Sequence, residues 1–212
     1  MRELQNNNFA LMNIEQLFNK DYNFIISSLI NRIQTVTLVQ VKAVNVTGVN
    51  PVGTVDVQPM VAQLDGQGGI HPHGIIFNIP YFRLQGGSNA VIIDPKVGDI
   101  GMCGFCSRDI SSIKNTKKPS SPQSRRKFDY ADGLFFGGFL NGTPSQYIFF
   151  KESGIDVISP GEVKIKASKI TLDAPVKTTS TIDSDGDMTA GSISVQNHIH
   201  PGDSGGTTGK PQ

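Results

Sequence analysis

Tryptophan is absent from this 212-residue chain, cysteine occurs twice, and neither charge sign dominates, with 19 Lys and Arg against 18 Asp and Glu. Two cysteines cannot build a disulfide scaffold. A net charge of +1 leaves no electrostatic footprint for nucleic acid or for an anionic membrane surface. Long apolar runs are missing too. The most apolar stretch, Phe24-Ile25-Ile26-Ser27-Ser28-Leu29-Ile30, is too short and too interrupted to span a bilayer. The start, Met1-Arg2-Glu3-Leu4-Gln5-Asn6-Asn7-Asn8, lacks the basic region and apolar core of a signal peptide. The expectation is a soluble protein synthesised in the cytoplasm, which meets a membrane only from outside and by a mechanical route.

Glycine is abundant, and Thr, Ser, Val and Ile are frequent after residue 34, a composition that favours β structure with many turns. One helix is predicted over 13–33. Asn13 and Gln16 have capping-box spacing, and Ile14, Leu17, Phe18, Ile25, Leu29 and Ile33 recur near the helical period. From Thr35 the period changes to two. Strands are predicted through Thr35–Val44, Gly53–Pro59, Ile75–Tyr81, Ala90–Ile93 and the segment containing Cys103, with turns at Gly48-Val49-Asn50-Pro51 and Gln85–Asn89. Short strands at this spacing suggest a small barrel. Cys103 and Cys106 lie i, i+3 on a strand, so their sulfurs diverge, which reads as one buried and one half-buried thiol. Residues 114–127, rich in Lys, Arg, Ser and Pro, read as a solvated loop.

From residue 151 the composition shifts and large aromatics vanish. Val163-Lys164-Ile165-Lys166-Ala167 and Ile170-Thr171-Leu172-Asp173-Ala174 alternate cleanly, with a phase slip at Ser168-Lys169 of the kind that turns a strand around a corner. The inward residues of this segment are few and small. They cannot offset the ordering entropy of the chain, about 1–2 kcal/mol per residue for the backbone alone. A single-chain solenoid needs several stacked repeats, and no fixed repeat is present. Identical copies would cover the exposed faces and strand edges. Three strands around an axis make the smallest closed prism, so an intertwined trimeric β-helix is expected.

The chain ends in Asn197-His198-Ile199-His200-Pro201 followed by a Gly-rich tail. Imidazoles at i and i+2 lie on one face of an extended chain, close enough to share a metal. Two ligands are too few for a tight site in a monomer, but a trimer supplies six nitrogens. Six neutral nitrogen donors suit an octahedral transition metal such as Fe(II) better than tetrahedral zinc. One feature opposes this: strict alternation puts Ile193, Val195 and Ile199 on one face and both histidines on the other. Either the chain turns near Gln196-Asn197 or the histidines face outward. A second pair, His71 and His73, sits in a Gly-rich loop. A four-ligand zinc site with Cys103 and Cys106 is conceivable, but the splayed thiols disfavour it and loop surface is the default.

The motifs together resemble the baseplate central spike proteins of contractile-tailed phages. In the first half the resemblance runs through Thr54-Val55-Asp56-Val57-Gln58-Pro59, Asn78-Ile79-Pro80, Pro95–Gly101, Ser107-Arg108-Asp109-Ile110 and Arg125–Gly133. At the other end it runs through Gly186–Gly191, His198-Ile199-His200 and the Gly206-Thr207-Thr208-Gly209-Lys210-Pro211 ending. The resemblance implies a mainly β protein in four parts. These are an N-terminal arm and helix (1–34), an oligonucleotide/oligosaccharide-binding-type (OB-fold) barrel (35–150), a trimeric β-helix shaft (151–195) and a metal-binding apex (196–212). It implies a homotrimer in the virion, at the tip of the tail baseplate, docked to tail hub proteins by its N-terminal end. There it breaches the host outer membrane mechanically when the sheath contracts. It also implies one Fe ion per trimer, held by His198 and His200 of each chain, with room for further ions near the apex. Neither nucleic acid nor a small-molecule substrate is an expected partner. The basic loop at Lys117-Lys118 and the N-terminal helix are less typical of that family.

An enzyme is not expected. A cupin-like metal enzyme needs a further His and a carboxylate downstream of its His-x-His, and only twelve residues follow His200. Gly202-Asp203-Ser204-Gly205-Gly206 echoes a serine-protease motif but sits in the terminal tail, with no scaffold around it. The alternatives are the spike of a phage-derived contractile secretion or bacteriocin particle, and a distal tail adhesin. An adhesin would expose binding loops or aromatics at its far end, and the Gly/Thr tail offers none.

Overall fold

A computed structural model describes residues 20, 22–30, 33–202 and 204–210, and the chain divides into two units, Met1–Pro144 and Ser145–Gln212. The predicted helix is seen over residues 22–30, labelled α1. Its predicted first turns, with the Asn13 cap, lie outside the described residues. Tyr22, Phe24, Ile25, Ile26, Leu29 and Ile30 are all exposed on it.

The first unit is built on an antiparallel sheet of five strands. In chain order they are β1 (Val36–Asn45), β2 (Thr54–Pro59), β5 (Ile76–Pro80), β8 (Ile100–Phe105) and β9 (Gly133–Phe136), arranged β5-β2-β1-β8-β9. Two short hairpins lie between them, β3 (Gln63–Leu64) with β4 (Ile70–His71), and β6 (Leu84–Gly86) with β7 (Asn89–Val91). The sheet curls until its two edges meet. Tyr81, just past β5, bridges Phe135 of β9 in the parallel sense, and the Phe82 N–H donates to the Phe135 carbonyl at 2.8 Å.

Alternation decides what lies inside the curl. In β2, Val55, Val57 and Pro59 are buried, and in β8 Gly101, Cys103 and Phe105, with half-exposed residues between. In β1 the alternation breaks at Lys42, where the register against β2 slips by one residue. This bulge lets Val39 and Val41 point inward and returns Val44 to the core side. The core comprises Val39, Val41, Val55, Val57, Ile79, Tyr81, Cys103, Phe105 and Phe135. Gly101 is required at its position, because a Cβ there would collide with the Phe135 ring and the Phe136 carbonyl.

Beyond β8 the chain forms a short helix, α2 (Ser111–Thr116), which ends at Lys117 in the left-handed conformation. The stretch read as a solvated loop therefore begins as helix, and its Arg126 is anchored. Arg126 Nε donates to Asp132 Oδ2 at 2.7 Å, and its Nη2 to Asp109 Oδ1 at 2.6 Å. Both carboxylates are buried. The Ser124 hydroxyl donates to Asp109 and the Ile110 N–H to Asp132, so the charges are hydrogen-bonded as well as paired. A second cluster joins Asp94 to Tyr81, Arg83 and the Gly48 N–H. It ties the β1–β2 turn to the residues following β5.

The second unit holds the hairpin of β10 (Tyr147–Lys151) and β11 (Gly154–Ile158), and a minimal hairpin of β12 (Thr189–Ala190) and β13 (Ile193–Ser194). No described residue of this unit is buried. Residues 159–188 form no strand, although Val163–Ala167 and Ile170–Ala174 alternate as strands do. Within one chain nothing lies beside them to accept a ladder of backbone hydrogen bonds. Among the described residues of the whole chain, no helix is long and apolar enough to cross a membrane.

Candidate functional site

The C-terminal histidines sit at the end of a folded sequence of turns. β12 and β13 are joined by Gly191-Ser192, with Gly191 at φ +62°, the conformation that the first position of a primed hairpin turn needs. Directly after β13 the chain coils. The His198 N–H donates to the Ser194 carbonyl at 3.1 Å, and the Asn197 N–H to the Ser194 hydroxyl oxygen at 2.9 Å. This turn resolves the conflict of phase. Ile193 and Val195 do not dictate where the histidines lie, because the alternation ends at Ser194.

The turn also decides the chemistry of His198. Its Nδ1 lies 2.8 Å from the Ser194 carbonyl oxygen and 3.2 Å from that of Val195. Both neighbours are acceptors only, so Nδ1 carries the proton of the neutral ring and Nε2 keeps the lone pair. A ligating histidine typically donates its other ring N–H to such an oxygen. The His200 ring stands edge-on to His198, with centroids 5.0 Å apart and planes at 89°. His198 is half-buried and His200 exposed.

The Gly-rich tail folds back along His200. The His200 N–H donates to the Thr208 hydroxyl and the Thr208 N–H to the His200 carbonyl, both at 2.9 Å. Pro201 bridges Thr207, and the Gly202 N–H donates to the Gly206 carbonyl at 2.7 Å. Lys210 Nζ reaches Asn197 Oδ1 at 2.8 Å. Thr207, Thr208 and Lys210 thus belong to the site, and the sequence reading missed them. A pair of threonines flanked by glycines carries no period that would mark a clamp.

The other candidate residues are not brought together. His71 Nε2 pairs with Asp65 at 3.0 Å in the β3–β4 hairpin, and His73 packs edge-on against Tyr130. The Cys103 thiol lies in the core, where burial pushes its pKa up to about 12, and Cys106 is half-buried just beyond β8. Among the described residues, no group of three or more His, Cys, Asp or Glu in one chain is placed to hold a metal ion. At the apex a single chain offers two imidazoles, too few by themselves for a tight metal site.

Residues 192–212 match the family model described as the GpV Apex motif. The matched segment contains the Ser194 turn, both histidines and the returning tail. The match supports a phage baseplate spike tip and a structural role. No protein of curated function matches the chain.

Proposed function

We propose that this chain is the central spike of a contractile phage-type tail, a homotrimer that pierces the host outer membrane when the sheath contracts. The observation that carries the reading is the spike-tip motif at residues 192–212, lying on the turn that exposes a histidine pair.

Three further observations support it. The five-stranded sheet has its first strand paired to both the second and the fourth, and closes through a parallel bridge at its edges. That arrangement suits an OB-type barrel, here a collar and not a nucleic-acid site. The second unit leaves its apolar residues exposed, Val163, Ile165, Ile170 and Leu172 among them, as expected of a shaft whose inner face is completed by two other copies. Helix α1 exposes six large apolar side chains and so requires a partner, in this reading the tail hub.

At the tip, His198 and His200 of three chains supply six nitrogens for one axial Fe ion. The donor set fits. His198 Nδ1 is engaged by backbone carbonyls and its Nε2 has no hydrogen-bond partner among the described residues, while the tail clamp fixes the backbone on both sides of His200. Such an ion would tie three chain ends to one point. Chain ends otherwise fray, and a piercing tip must not. Lys, Thr, Asp and Ser keep the shaft soluble on either side of the membrane, and sheath contraction supplies the work.

Iron content of the intact protein tests the reading. Wild type is expected to hold one iron per three chains, and the H198A/H200A double variant less than a tenth of that. Equal iron in both would remove the metal site.

A further inference from the structure

We infer that Asp187 is a positioning residue for His198, acting through Ser194. The inference rests on reading His198 and His200 as metal ligands and adds to that site a residue outside the ligand pair.

Asp187 lies eleven positions before His198, ahead of the β12–β13 hairpin, and the hairpin brings its carboxylate back to the turn. Its Oδ1 accepts the Gln196 N–H at 3.1 Å. Hydrogen bonding from the Ser194 side chain and the Gln196 N–H holds Asp187 below the usual carboxylate range. The Ser194 oxygen is meanwhile the acceptor for both the Asn197 N–H and the Asn197 side-chain amide, at 2.9 and 3.2 Å. A hydroxyl that accepts two such bonds has its own proton left for the carboxylate. Next to it, the Val195 N–H donates to the Met188 carbonyl at 2.8 Å. Asp187 therefore brackets residues 194–196 from across the hairpin.

The same Ser194 supplies the carbonyl that takes the His198 Nδ1 proton. Shifting Ser194 would move that acceptor. The ring would then be free to rotate or to adopt the other tautomer, with Nδ1 instead of Nε2 presenting the lone pair. Asp187 touches neither imidazole. Its role is to fix the loop that selects which nitrogen His198 offers. Groups that accept the other ring N–H of a ligating histidine, as the Ser194 carbonyl does, typically contribute about 10–100-fold to metal affinity, and displacing that carbonyl would forfeit part of it.

The test uses the full-length protein with Fe(II) added under anaerobic conditions. It reads iron bound at equilibrium, the rate of iron loss to a bipyridine chelator, and the melting temperature with and without iron. D187A is expected to bind iron about 10–100-fold more weakly, with a melting temperature that responds less to iron than that of wild type. D187N, which keeps an acceptor oxygen, should recover most of the loss. S194A should be weakened in the same sense, and it decides the matter if D187A fails to assemble. Wild-type iron retention in D187A, or in S194A where D187A does not assemble, would overturn the inference. So would a fall in melting temperature that is the same with and without iron. Failure of the underlying reading looks different: H198A would then leave iron binding unchanged, whatever Asp187 does.

Discussion

Arg126 reaches two buried carboxylates from a segment otherwise rich in solvated Lys, Ser and Pro. Hydrogen bonds from the Ser111 N–H and side chain, with Ser124 and the Arg126 charge, hold Asp109 well below the usual carboxylate range. Burial pushes Asp132 upward, but the Arg126 guanidinium and the Ile110 N–H outweigh it, and the net direction is down. A carboxylate whose pKa is depressed by folding stabilises fully above its unfolded value and loses that contribution as pH falls through the folded value. The wild-type urea midpoint should therefore fall below about pH 4. D132N should melt about 5 °C lower at pH 7 and show a flatter decline in acid, because one linked proton is gone. Thermal melting at pH 7 measures the first and urea denaturation at pH 7 and pH 3 the second, and parallel acid profiles for the two proteins would contradict the assignment. Sequence alone hid this pairing. Arg126 lies six residues from Asp132 but seventeen from Asp109, and nothing in local spacing separates it from Arg125 or Lys127.

Strands β1, β2 and β8 were legible because each alternates over five or more residues against a buried core, and β5 as a short apolar run, although its burial does not alternate. The hairpins β3–β4 and β6–β7 bury nothing, so the sequence marks only the Gly-rich turn at residues 85–89 and the strand after it, expected at Ala90–Ile93 and found as β7. Helix α2 escaped for a related reason: it has no side-chain cap and no buried residue. At the apex the phase conflict between Ile193, Val195 and the histidines was itself a signal, and the turn at Ser194 is its physical cause. Hairpin β10–β11 carries the clearest prediction at this scale. Ile148 pairs with Val157 and Phe150 with Ile155, so one face is wholly apolar, and all four side chains are exposed within a single chain. Fully burying a side chain of this size contributes about 1.5–3 kcal/mol, so covering the face would be a substantial part of assembly. F150D is expected to shift the protein from trimer to monomer in analytical ultracentrifugation at micromolar concentration. F150D sedimenting as wild type does would show that this face is not an interface between copies.

Across the whole chain the two units differ in kind. The first closes a core of Val, Ile, Phe and Tyr within itself, and its alternation suffices to place that core. The second has alternation without burial, and a single chain cannot satisfy it. In the proposed trimer, what the sequence leaves unreadable there is the arrangement of copies, which depends on surfaces that acquire meaning only when matched against themselves. The motif at residues 192–212 and the paired imidazoles point to the same conclusion from the opposite end of that unit. Native mass spectrometry of the intact protein, before and after removal of metal by a chelator, tests this most directly. A particle of three chains carrying one metal ion is expected, and a looser trimer once the ion is gone. A metal-free monomer that remains folded through residues 145–212 would contradict it.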